Sequence, residues 1–258
     1  MTRVLTSVIL LPVVLGIVLY GPSWSFLLLL AVVGAFAFHE FDGVVAGHGI
    51  PRSGWPGMAA GLILLLTPEP LTPIVTPVIV VLALALMTLG LRAQKLETVL
   101  SSAAAALLGI IYIFGAWRCA ILLREANPHW LIVALLVSWA GDTAALYVGR
   151  SFGRHKLAPR ISPGKTWEGS AASLVAGLLA GIIYAIFLIP AAPLFLVVAV
   201  SAAGNMTGQV GDLCESVLKR GAGLKDSGHS LPGHGGWLDR IDSSLFSIPT
   251  VYLLLRLL

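Results

Sequence analysis

Asp239 and Asp242 stand three apart in the run LDRID, and on a helix that spacing puts both carboxylates on one face. Asp212, at the end of the preceding apolar run, joins them as a third oxygen ligand. Such sites suit hard cations: magnesium takes one or two carboxylates and completes its octahedron with water and phosphate oxygens. The connecting stretch, SVLKRGAGLKDSGHSLPGHGGWLDRID from Ser216 to Asp242, supplies the opposite charge. Lys219, Arg220 and Lys225 can neutralise phosphates, arginine through a bidentate fork and lysine as a point charge. Gly235 and Gly236 let backbone N–H groups approach an oxyanion with no Cβ in the way. His234 beside them can donate to a phosphate or carry a proton, Arg240 joins the phosphate-binding set, and His229 reads as a solvated loop histidine. A solvated helix start with Asp239 as a favourable first-turn charge would account for LDRID alone, but not for its surroundings.

A second polar stretch, RISPGKTWEG from Arg160 to Gly169, contributes Ser162, Lys165 and Thr166 as phosphate ligands. Its Gly-Lys-Thr invites comparison with the phosphate loop of NTPases, yet that motif needs glycine at 159, where Pro159 stands. With no strand expected before it, these three residues read as separate ligands brought to one cavity. A short internal echo links the two stretches: WAGDTAALYVGR ends at Arg150 and QVGDLCESVLKR at Arg220, each with Gly-Asp before the arginine. Helical rise then sets Asp142 and Asp212 at similar depth, about two turns inward. Carboxylates below a membrane surface need a partner, a cation or a watery cavity. For Asp142 that partner is either Arg118 or a nucleotide or metal.

The elements that position these residues are membrane spans. The chain is 57% hydrophobic and 11% charged, with a mean hydropathy of +0.94, whereas soluble domains carry about 25% charged residues. Apolar segments fall at about 4–20, 23–38, 56–67, 74–90, 101–123, 129–149, 170–190, 193–211 and 243–258. They predict an all-α polytopic integral membrane protein of about nine transmembrane helices; the short third segment leaves eight spans and a re-entrant hairpin as the alternative. Of sixteen lysines and arginines, Arg118 lies inside the fifth span, Arg124 and Arg256 fall on one side, and the remaining thirteen on the other. The positive-inside rule therefore puts the N-terminus and the polar loops 150–169 and 211–242 in the cytoplasm.

No small-residue cleavage site follows the first segment, which argues against a secretory signal. Cys119 and Cys214 offer neither a disulfide framework nor a metal knuckle. The basic residues sit in membrane loops without interleaved aromatics, so their partners are anionic lipid or nucleotide phosphate and not nucleic acid. Residues 1–125 read as scaffold, and 126–258 as the catalytic membrane region. One polar cluster in the first part, HEFDGV from His39 to Val44, reads as an interfacial helix end.

The pattern S-x-x-K-R-x-x-x-x-K-D-x-x-x-x-L-P-G-H-G-G-x-x-D-R-x-D, Ser216 to Asp242, resembles the signature of the CDP-diacylglycerol synthases, or phosphatidate cytidylyltransferases. GDTAALYVGRSFGRHKLAPRISPGKTWEG, Gly141 to Gly169, is similar to the same family's second polar region, with a departure at Gly164, where many relatives have a basic residue. The resemblance implies that phosphatidic acid and CTP give CDP-diacylglycerol and pyrophosphate, with magnesium and a possible second cation, by a homodimer among membrane lipids in a bacterial inner membrane. On that reading Asp212, Asp239 and Asp242 hold the metal. Lys219, Arg220 and Lys225 stabilise the pyrophosphate or grip the lipid headgroup, and Lys165, Ser162 and Thr166 bind phosphate. Two rivals are a CTP-dependent kinase of a polyprenol or other lipid alcohol, and a polytopic transporter.

Overall fold

The computed structural model describes residues 12–67, 72–92, 95–228, 230 and 235–258. His229, His234 and the N-terminal part of the first apolar segment lie outside the described residues. Each of the nine apolar segments falls on a helix: α1 (12–20), α2 (Ser23–Gly47), α3 (Gly54–Leu66), α4 (Thr72–Leu89), a continuous run of α5 (Val99–Gly109), a π-helical turn (Ile110–Gly115) and α6 (Ala116–Ala126), then α7 (Pro128–Phe152), α8 (Trp167–Leu188), α9 (Leu194–Gly221) and α10 (Leu238–Leu257). Helices are what lipid demands, because every backbone polar group must find its partner inside the segment.

Among the described residues five helical runs are long and apolar enough to cross a membrane: α2, the run ending in α6, α7, α8 and α9. With thirteen residues, α3 spans roughly 20 Å and falls short of a hydrocarbon core of about 30 Å. α8 exposes Val175, Leu179, Ile183, Ile186 and Phe187, an inside-out distribution that makes sense when the surrounding solvent is acyl chain. The protein is therefore an integral membrane protein.

The sequence reading placed no strand before Gly-Lys-Thr, and there the structure differs. Lys156–Ala158 (β1) pairs antiparallel with Ser162–Thr166 (β2), with Lys156 opposite Thr166 and Ala158 opposite Ser162. Pro159 closes the turn, since Ile161 N–H reaches Ala158 O at 3.1 Å and proline presets the dihedral at the second turn position. β2 runs directly into α8, where the Thr166 hydroxyl accepts from Gly169 N–H at 3.1 Å and caps the helix. α7 begins in a comparable way, with Asn127 accepting from His129 N–H at 3.0 Å and Pro128 in the first turn.

Two compact units share the chain and interleave in sequence. The first takes its described residues from within Pro22–Arg118 and Leu218–Arg240; the second takes them from 12–21, Cys119–Val217 and Ile241–Leu258. The first is built on aromatic packing, with Phe38 5.7 Å from Phe114 and 6.3 Å from Phe41 between ring centroids. In it Arg118 Nη1 donates to Leu64 O at 2.9 Å and Thr67 O at 2.5 Å, so that intramembrane charge satisfies the orphan carbonyls at the end of α3.

The second unit is tied by amides and hydroxyls. Asn205 Nδ2 donates to Val137 O at 2.9 Å and Ser173 Oγ at 3.2 Å, and Gln209 Nε2 donates to Asn205 Oδ1 at 2.8 Å. Ser170 Oγ completes the ladder on Gln209 Oε1 at 2.5 Å. Polar groups that would be costly in hydrocarbon thus link α7, α8 and α9.

Candidate active site

The ladder leads along α9 to Asp212, three residues past Gln209 and therefore on the same face. Asp212 Oδ2 lies 2.7 Å from Lys165 Nζ, which β2 delivers; the two side chains keep 33% and 24% of their surface. The second polar stretch therefore does reach an aspartate. Ser162 opens β2, half-buried. Thr166, expected as a phosphate ligand, is buried and its oxygen is engaged in capping α8. That role follows from its place at the strand-to-helix junction.

Asp242 belongs to the same unit and is 8% exposed. It accepts from Ser243 N–H at 2.7 Å, while Asp212, Glu215 and Asp142 bear on it by repulsion. An anion buried among anions is costly and calls for a cation or a proton. Asp142 is exposed on α7, and Glu215 is 1% exposed on α9. Sequence reasoning missed Glu215, although its position three residues after Asp212 puts both on one helical face.

In the first unit Asp239 and Lys219 form an ion pair, buried so that only 7% and 10% of the side chains remain accessible. Asp239 Oδ2 also accepts from Gly236 N–H at 2.8 Å and Ser227 N–H at 3.1 Å. The glycine pair was expected to offer its amides to an oxyanion, and for Gly236 that oxyanion is Asp239 itself. The reason is local: Gly235 adopts a positive φ of 77°, which turns the chain back on the first turn of α10. Arg220 Nη1 donates to Leu224 O at 2.8 Å, and Lys225 and Arg240 are exposed. His234 lies outside the described residues.

Asp212, Asp239 and Asp242 were expected to ligate one metal. Among the described residues no three His, Cys, Asp or Glu side chains are grouped to hold an ion. Asp239 is instead occupied by Lys219 and two amides, whereas Asp212 and Asp242 share a unit and repel each other. Asp212, a third exposed, and the buried Asp242 are oxygen donors of the kind magnesium takes alongside water and phosphate. A further carboxylate, Glu40, is 5% exposed on α2; in the sequence it stands in the polar cluster HEFDGV, just past the apolar segment 23–38.

The cytidylyltransferase family matches residues 1–258. The chain belongs to that family. Phosphatidate cytidylyltransferase of Staphylococcus aureus is 33% identical over 258 residues, 98% of each chain. The Bacillus subtilis protein of the same name is 40% identical over 153 residues, 58% of this chain and 57% of the relative. The one from Staphylococcus saprophyticus is 45% identical over 132 residues, and the matched stretch spans about half of either chain, 51%.

Proposed function

We propose that this cytidylyltransferase-family protein is a CTP:phosphatidate cytidylyltransferase, moving CMP from CTP to phosphatidic acid. A phosphate oxygen of phosphatidic acid attacks the α-phosphorus of CTP; the new P–O bond forms as the bond to the β-phosphate breaks. CDP-diacylglycerol and pyrophosphate result. The attacking phosphate ester is already ionised near neutrality, with a second pKa of about 6 for such groups, so no strong general base is required. Mutual repulsion of the two polyanions is the main barrier, and screening and positioning are the protein's task.

The observation that carries this reading is the open Lys165–Asp212 pair beside the buried Asp242. Lys165 is assigned to a triphosphate oxygen, which would replace Asp212 as its partner. Asp212 and Asp242 would hold magnesium, which when bound screens phosphate charge and neutralises their repulsion. Arg220 and Lys225, both exposed, are assigned to the pyrophosphate or the lipid headgroup, with Arg240 beside them. Lys219, buried against Asp239, is assigned to orienting that loop more than to gripping substrate. The reading includes a homodimer in a bacterial inner membrane with its reacting groups at the cytoplasmic face, supported by the lysine and arginine distribution and by bacterial relatives.

The test is an assay of purified protein in detergent with phosphatidic acid and CTP labelled either in the base or in the γ-phosphate. Base label in the lipid product is expected. Lipid carrying only the γ-label would mean a CTP-dependent lipid kinase, and solute uptake into proteoliposomes without nucleotide turnover would mean a transporter.

A further inference from the structure

The last turn of α9 and the end of the loop after it are held by α2 and its C-terminal cap residue His48, an element that the chemistry described so far does not use. At the near end His48 Nε2 lies 2.8 Å from Leu218 O. At the far end the Trp237 ring stacks on Phe36, with centroids 5.6 Å apart and planes inclined by 17°. Glu40 lies one helical turn after Phe36, on the same face. Its Oε2 accepts from Leu238 N–H at 2.9 Å and from Ser227 Oγ at 3.2 Å. Leu238 is the first residue of α10, so its amide is one of the orphan donors of a helix N-terminus, where an anion is also favoured by the dipole.

Glu40 has little room. A Cβ at Gly228 would lie 2.6 Å from Glu40 Oε1, and one at Gly236 would lie 2.7 Å from its carboxyl carbon. Oε1 has no hydrogen-bond partner among the described residues, so the carboxylate is buried at a cost that its two accepted bonds offset only in part. Those two bonds end on residues that orient Asp239. Ser227 gives its hydroxyl to Glu40 and its N–H to Asp239, and Leu238 adjoins Asp239 in sequence. Lys219 and Gly236 complete the Asp239 shell.

We propose that Glu40 is a positioning residue for cytidylyl transfer: by fixing Ser227 and the start of α10, it holds Asp239 and Lys219 in one geometry. It acts as a hydrogen-bond acceptor and touches no substrate. The segment that reads in sequence as an interfacial helix end is thereby part of the active-site frame. This inference rests on the proposed cytidylyltransferase reaction.

The experiment compares wild type with Glu40→Gln and Glu40→Ala, measuring incorporation of base-labelled CTP into lipid and, separately, the rate of tryptic cleavage after the exposed Lys225. Glu40→Gln keeps a carbonyl that can accept both bonds, and its kcat is expected within about threefold of wild type. For Glu40→Ala the expectation is a loss in kcat of about 10²-fold from misplaced groups, with KM for CTP changed by less than about threefold, and faster cleavage after Lys225. Wild-type kcat and cleavage in Glu40→Ala would overturn the proposal, and so would equal damage in both variants. If Glu40→Ala does not fold, Ser227→Ala removes one donor without touching a buried charge. It should lower kcat and speed the same cleavage, and no change in either again overturns the proposal. A wild-type protein that labels no lipid would defeat the assigned reaction, while the cleavage comparison would still judge the role of Glu40.

Discussion

Lys165–Asp212 and Lys219–Asp239 have the same composition and opposite settings. The first lies between a hairpin strand and a helix, with a quarter to a third of each side chain accessible. The second lies between the last turn of α9 and the first turn of α10, with a tenth or less accessible. An exposed ion pair contributes about 0 to 1 kcal/mol, so it can open to admit a phosphate at little cost. A buried pair behaves differently, because removing one partner strands the other charge at a cost of about 3 to 5 kcal/mol. The comparison teaches that charge alone does not mark a substrate ligand; accessibility separates a pair that exchanges partners from one that holds a loop in shape.

The widest separation is expected at the buried carboxylate beside the open pair. Asp242→Asn removes one of several repelling anions, so its thermal stability without magnesium should equal or exceed wild type, while turnover falls by about 10³-fold. Turnover at the wild-type rate under limiting magnesium would remove Asp242 from metal binding. Next comes Asp239→Asn, which leaves the Lys219 ammonium buried without its carboxylate. It should lose activity and also about 3 to 5 kcal/mol of stability, read as an early melting transition in detergent. The double change Lys219→Met with Asp239→Leu should regain most of that stability and none of the activity. Were Asp239→Asn inactive but as stable as wild type, the contrast between the pairs would dissolve.

Lys165→Met tests the other side of the contrast. Its kcat/KM should fall by about 10²-fold through loss of phosphate charge stabilisation, with stability changed by no more than about 1 kcal/mol. A large melting shift would show that this pair, too, is structural. The smallest effect is expected at Asn205→Val, which cuts the ladder within α7, α8 and α9 and should cost about 1 to 2 kcal/mol, the range of interhelical hydrogen bonds in membranes. Activity at low temperature should survive it.

Much of the frame was legible because hydropathy is a strong signal when the solvent is lipid. Apolar segments from 23–38 to 243–258 each coincide with a helix, and the weak third segment became the short α3. The β1–β2 hairpin was not legible, since strands of three and five residues around Pro159 have no periodicity to read. The grouping of Leu218–Arg240 with Pro22–Arg118 was not legible, because long-range contacts leave no trace in local pattern. Lys165, Asp212 and Asp242 stand out in the sequence by charge type and position. What distinguishes them from Lys219 and Asp239 is burial, and the donation of Gly236 N–H to Asp239, three residues on, leaves no mark in local pattern.

Amides at 205 and 209 facing hydroxyls at 170 and 173 also bear on how this protein meets membranes of different thickness. Apolar helices in lipid can shear past one another with little penalty, but one joined rung by rung cannot slide without breaking several bonds at once. Hydrophobic mismatch must then be taken up by tilting of this three-helix body as a whole or by deformation of the surrounding lipid. Reconstitution into bilayers of short and long acyl chains should therefore leave the Asn205 and Gln209 contacts unchanged, as read by cross-linking of cysteine pairs placed across α8 and α9.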